Sequence, residues 1–194
     1  LLDQGLIDEA RPLLRAARRV FEASDNPYLV AFVLLLTGRC DTRAGDPVAA
    51  RAALEASAAG YAELDEADSA RDARVHLLEA LIDAGLHDDA VVLARDLAVA
   101  GVDGPALSRL HRQTARLARA DGDDAAARAA AQEAVDVPTT TPYERALSLA
   151  LLAHLDPDAA IGDAHETLRR LGVVDVDALL VHDVVDLTPS ERPQ

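Results

Sequence analysis

The sequence predicts an all-α protein, an α-solenoid of four to five antiparallel helical hairpins. Three observations predict it. Alanine and leucine dominate an apolar half of 194 residues in which only five are aromatic. Alanine is the best helix former, and its small side chain lets helices approach closely. A glycine-to-alanine signature also recurs in register: "GLIDEAR" from Gly5, "GDPVAAR" from Gly45, "GLHDDAV" from Gly85 and "GDDAAAR" from Gly122. In each copy an alanine (Ala10, Ala50, Ala90, Ala127) follows the glycine by five residues, and a small or apolar residue (Leu14, Leu54, Ala94, Ala131) follows four later. The glycines stand 40, 40 and 37 residues apart, the spacing of stacked supersecondary units. Finally, helix start and stop signals lie close together, so consecutive helices must turn back on one another.

Taken in order, a helix over 6–23 starts after Gly5, which supplies a left-handed residue or tight turn. "SDNPY" (Ser24–Tyr28) breaks it and opens a helix over 27–44. Asp46-Pro47, an N-cap followed by a first-turn proline, opens 47–65. A helix over 69–84 ends at Gly85, and the third signature copy opens 88–100. "GVDGPAL" (Gly101–Leu107) is a break before 105–120, and Gly122 separates that helix from 123–136. "TPYE" (Thr141–Glu144) is a capping box opening 142–154. Asp156-Pro157 opens 157–171, where "LDPDAAI" is a fifth copy with Leu155 at the glycine position and Ala160 in register. Residues 1–171 thus form the repeat region. Residues 172–194 form an acidic and apolar tail, with a capping helix expected on the last repeat and disorder over "TPSERPQ".

Composition excludes several classes. The formal net charge is −15, from 34 acidic and 19 basic residues, which argues against direct nucleic-acid binding. No run approaches the roughly 18 apolar residues of a membrane span. One cysteine, Cys40, rules out an internal disulfide, fits a reducing cytosol and reads as a small buried residue. No P-loop, G-x-S-x-G, H-E-x-x-H or paired C-x-x-C occurs, so neither enzymatic chemistry, a cofactor nor a metal is expected. "DGDDAAARAAAQEA" (Asp121–Ala134) begins like a calcium loop, but Ala126 replaces the central glycine and Gln132 the bidentate glutamate. It reads as a helix N-terminus. His154 and His165 flank acids without ligand spacing.

The Gly-(Asp)-x-x-x-Ala pattern, with small or apolar residues four and seven positions after the alanine, resembles the second half of a tetratricopeptide repeat. "LLLTGRCDTRAGDPVAARAALEASAAGYAEL" matches best, because Gly38 also falls at that family's first-helix glycine. The periods exceed the usual ~34 residues, alanine or leucine replaces most large aromatics, and the helix-ending proline is missing. Such degenerate, Ala/Arg-rich repeats look like those C-terminal in large bacterial regulators and multidomain nucleotidyl cyclases. The resemblance implies a protein-interaction or scaffold region of a cytoplasmic signalling or transcriptional regulator.

"LSRLHRQTARLARADG" (Leu107–Gly122) carries Arg109, Arg112, Arg116 and Arg119 at helical spacing, about 200° from Leu107, Leu110, Thr114 and Leu117. The leucines are expected to face the core and the arginines to face out. The resemblance carries groove-lining positions onto Arg39 and Arg43, then Asp72, Glu79 and Asp83, then the four arginines, then Arg145. Either the three acids, one repeat away, face the stripe and neutralise it through exposed pairs of about 0–1 kcal/mol each, or surplus guanidiniums leave a groove for an acidic peptide or small anion. The expected partner is therefore a protein, an acidic peptide or other domains of the same polypeptide. A sensor module for an anionic ligand and a structural or homo-oligomerising segment are the alternatives. In the tail, Val173, Val174, Leu179, Leu180 and Val184 favour capping over occupation of the groove by its acids. "LTPSER" (Leu187–Arg192) resembles the opening of a DNA-binding helix-turn-helix.

Overall fold

A computed structural model describes residues 1–156 and 162–180. The expectations that rest on Pro157, Ala160, Val184 and 187–194 lie outside the described residues. Among the described residues the chain is all helical, with helices packing on their sequence neighbours in the manner of a helical repeat. A short 3-10 turn (Leu2–Gln4) precedes α1 (Ile7–Ala23), α2 (Pro27–Arg43), α3 (Pro47–Glu63), α4 (Ala67–Asp83) and α5 (His87–Ala100). Then come α6 (Gly104–Ala120), α7 (Asp124–Asp136), α8 (Pro142–Leu155), α9 (Gly162–Arg170) and α10 (Val176–Leu180). The chain divides into two compact units, Leu1–Val102 and the part from Asp103 onward.

The first unit is metrically regular. Helices α1 to α4 are each 17 residues long, and left-handed residues stand at 20-residue steps: Gly5, Asp25, Gly45, Asp65 and Gly85. At each interhelical turn the next amide reaches back to close a Schellman motif. Asn26 N donates to the Phe21 carbonyl (3.2 Å), Asp46 N to Asp41 (2.9 Å), Glu66 N to Tyr61 (3.0 Å) and Leu86 N to Leu81 (2.9 Å). Each 40-residue repeat is therefore two equal helices joined by equivalent turns. Glycine marks every second turn. At the others aspartate, which tolerates φ of 50° and 58° at Asp25 and Asp65, takes its place. Asn26 and Asp46 also cap the helices that follow, accepting from Leu29 N and Ala49 N at 3.1 Å each.

Close packing between α2 and α3 depends on small residues. The signature alanines Ala10, Ala50, Ala90 and Ala127 are all buried. A methyl group built on Gly38 would collide with the Leu54 side chain and come within 3.2 Å of the Ala50 carbonyl. Ser57 Oγ donates across the same interface to the Ala31 carbonyl at 2.8 Å, and Tyr28 meets Tyr61 edge-on at 5.4 Å. Burial pushes the Tyr61 hydroxyl pKa up to about 12, with the neighbouring Tyr28 and acids adding to the shift. Cys40 is fully buried, and burial raises its thiol as well.

The second unit repeats the turn with Gly122 (φ 81°), where Asp123 N donates to the Ala118 carbonyl at 2.9 Å. The Schellman closure returns at Gly172. Its core joins Ala130 and Ala131 of α7, Leu147 and Leu151 of α8 and Leu168 of α9 to the segment after Gly172. From that segment Val173, Val176, Leu179 and Leu180 are buried, whereas Val174 is exposed.

Candidate functional site

The seven arginines singled out from the sequence divide between the units. In the first, Arg39 Nη2 donates to Asp3 Oδ1 at 2.6 Å and Arg43 Nη1 to the Leu2 carbonyl at 2.7 Å. Both tie the opening 3-10 turn to α2. In the second, α6 and α8 bring three arginines into one cluster, and Arg119 sits at the end of α6, paired with Asp124 of the following helix. Arg145 is exposed on α8 and forms no ion pair among the described residues.

The cluster corrects the expected orientation of α6. Arg109, Arg112 and Arg116 are 7 %, 3 % and 3 % exposed, while Thr114 of the expected core stripe is exposed and Leu107 only half-buried. The expectation assumed a helix with one buried face. Helix α6 instead packs against both α7 and α8, so its leucine side and its arginine side are both enclosed. Leu110 and Leu117 keep their core places.

Buried guanidiniums demand a buried counter-charge, and within the second unit Glu144 supplies it. Arg109 Nη2 donates to Glu144 Oε1 at 2.6 Å, and Arg112 Nη2 lies 2.8 Å from Oε2. Glu144 is 5 % exposed. Burial alone would raise its pKa. The adjacent Arg112 and Arg109 outweigh that cost and hold the carboxyl at about 2, below its ordinary 4.5. Polar neighbours complete the cluster. Arg116 Nη1 donates to Gln113 Oε1 at 2.9 Å, Ser108 Oγ to the Ala134 carbonyl at 2.7 Å, and Ser148 Oγ to the Glu144 carbonyl at 3.0 Å. Glu144 N meanwhile donates to Thr141 Oγ1 at 3.2 Å. One residue thus serves both the cap of α8 and the centre of the charge cluster.

Chemically this arrangement pairs charge. Among the described residues no group of three or more His, Cys, Asp or Glu side chains is placed to hold a metal ion, and no helix is long and apolar enough to cross a membrane. His165 lies 3.4 Å from Asp177, and His111 lies 3.0 Å from Glu133.

A different feature, which the sequence reading missed, lies in the first unit. The C-terminal part of α1 and the C-terminal half of α3 flank α2 and leave an apolar groove of about 540 Å³. Val30, Ala31 and Leu34 form its floor, with Phe21 on one wall and Ala56, Ala59 and Gly60 on the other. Its only charged lining residues are Glu22, Asp25 and Glu63. No family model, curated protein or solved structure matches this chain.

Proposed function

We propose that the chain is a protein-interaction scaffold of tetratricopeptide-like helical repeats, serving as the repeat region of a larger cytoplasmic signalling or transcriptional regulator. The observation that carries the interaction reading is the apolar groove between α1 and α3, rimmed by Glu22, Asp25 and Glu63. An uncovered apolar channel of this kind marks a binding surface. Its rim selects a partner segment with apolar side chains flanked by Lys or Arg, because like charges placed across a contact disfavour the wrong partner. The regulator context rests on the sequence resemblance.

The reading of α6 as the wall of an acid-binding groove recedes, because Arg109, Arg112 and Arg116 are buried and the first two are paired with Glu144. The test uses a labelled amphipathic helical peptide with leucines at three- and four-residue spacing and lysines at both flanks. Fluorescence anisotropy with the full chain is expected to show saturable binding. Ala59→Glu, at an exposed wall position, weakens it at least tenfold, and Glu63→Arg weakens it less. Equal binding by wild type and both variants would refute the groove.

A further inference from the structure

Repeat register lets each hairpin be overlaid on the next. A residue of α2–α3 corresponds to the one 40 later in α4–α5 and 77 later in α6–α7. In the two later hairpins a basic side chain of the first helix meets an acid of the second at one fixed register. Arg74 Nη2 of α4 lies 3.3 Å from Asp96 Oδ2 of α5, and His111 Nδ1 of α6 lies 3.0 Å from Glu133 Oε2 of α7. In α2–α3 the same two positions are Leu34 and Ala56, a floor and a wall residue of the apolar groove. Ala31, also of the floor, stands at the register of Arg71, which pairs with Asp68 in α4. Where α4 carries two guanidiniums on long stems, α2 therefore carries short apolar side chains, and a channel of about 540 Å³ lies above them.

The acids of the groove gather at one end. Glu22 is the last residue but one of α1, Asp25 stands in the turn just beyond it, and Glu63 is the last residue of α3. A helix C-terminus carries the negative end of the macrodipole, so an acid there opposes the helix it stands on, and neither α1 nor α3 has a basic residue in its last turn. Negative potential is thus concentrated at this end for no gain in local stability. Glu22 accepts from Arg18 Nε at 2.7 Å, whereas Asp25 and Glu63 form no ion pair among the described residues. The repeat does not fill the space itself. Each helix packs on its chain neighbours, and α2 packs also on α4, the first helix of the next hairpin. Continued in either direction, that scheme places no helix between α1 and α3 over α2.

We infer that the groove is a receptor for an arginine of the partner segment, whose guanidinium meets Asp25 and Glu63 while its stem lies over Val30, Ala31 and Leu34. The partner supplies in trans what Arg71 and Arg74 supply within the next hairpin. Arginine suits the place better than lysine. Its planar, weakly hydrated fork engages two carboxylates at once and its stem packs on apolar surface, whereas an ammonium is a compact and strongly hydrated point charge. The site rests on the reading of the groove as a binding surface and adds to it the residue that selects the partner. Because pairs at exposed carboxylates are weak, each acid contributes about threefold in affinity and the two together about tenfold.

The probe is a labelled, N-acetylated helical peptide with leucines at three- and four-residue spacing, glutamines elsewhere and one arginine in its first turn. It is titrated against the full chain by fluorescence anisotropy, beside the same peptide with lysine or with citrulline, which keeps the shape of arginine and removes its charge. The expected result is saturable binding by all three, about tenfold tighter with arginine than with citrulline and intermediate with lysine. Asp25→Asn and Glu63→Gln each weaken the arginine peptide about threefold and together remove its advantage, leaving the citrulline peptide unchanged. Asparagine tolerates the left-handed backbone at position 25, and circular dichroism confirms that the fold survives both substitutions. Equal affinity with lysine or citrulline in place of arginine overturns the inference and leaves the groove standing as a binding surface. So does an arginine advantage that persists in the double variant. Absence of saturable binding by any of the three peptides overturns the groove and the inference together. A concentration-dependent dimer in sedimentation that the arginine peptide dissolves gives the groove to a second copy of the chain and overturns its assignment to a partner.

Discussion

The hairpins α2–α3 and α6–α7 occupy equivalent repeat registers and solve helix packing differently. In the first unit, close approach comes from removing side chain: Gly38 receives Leu54, and Gly60 lies against Ala31, where an added methyl would sit 3.2 Å from the alanine Cβ. In the second unit the same registers hold Ala115, Ala131 and Val137, and the space around α6 is filled with charge, Arg109 and Arg112 closing on Glu144. The serine-to-carbonyl bond is kept in both, though Ser57 donates from the second helix and Ser108 from the first. The difference teaches that the repeat conserves backbone geometry and leaves the means of filling the interface open. A steric solution tolerates no added volume. An ionic one tolerates no lost partner.

The comparison breaks most severely at Glu144. Glu144→Gln removes the carboxylate facing Arg109 and Arg112, and uncompensated burial of a paired charge costs about 3–5 kcal/mol. Hydrogen exchange is expected to show the loss of protection in α6 and α8, with α2 and α3 unchanged. Next comes the steric interface. Gly38→Ala forces Leu54 and the Ala50 carbonyl apart and costs about 1–3 kcal/mol, with the loss of protection now confined to α2 and α3. Ala115→Gly at the same register of α6 is not rescued by any such clash and costs about 1 kcal/mol through helix propensity. The smallest effects belong to the turns. Gly45→Asp is tolerated at a cost of about 1 kcal/mol or less, because aspartate already serves the same turn at Asp25 and Asp65. Gly45→Val costs more, which urea denaturation resolves.

Much of this fold was legible. Glycine and Asp-Pro signals placed the helices to within a residue or two wherever the structure describes them, because they act locally on the backbone. The left-handed turns at Asp25 and Asp65 escaped notice, since aspartate before a helix reads equally well as a cap. The orientation of α6 was not legible for a physical reason. Its leucine stripe fixes one buried face, but the enclosure of the other depends on α8, one hairpin further on. Glu144, its counter-charge, was hidden in plain sequence as the last residue of the "TPYE" capping box. The α1–α3 groove arises between helices not consecutive in the chain, so no local pattern announces it. Phe21, Val30 and Leu34 look like ordinary core residues.

Arg109 and Arg112 of α6 are an internal, carboxylate-dependent part of the second unit. The most direct test is the stability difference between wild type and Glu144→Gln as a function of pH. Because the folded-state pKa of Glu144 is lowered to about 2 from 4.5, its stabilisation is fully present above the unfolded value. It is lost as pH falls through the folded one. Denaturation followed from pH 6 to pH 2 should therefore show a wide gap between the two proteins above pH 4.5, closing as pH approaches 2. A gap that is absent at pH 6, or that stays constant down to pH 2, would contradict the claim.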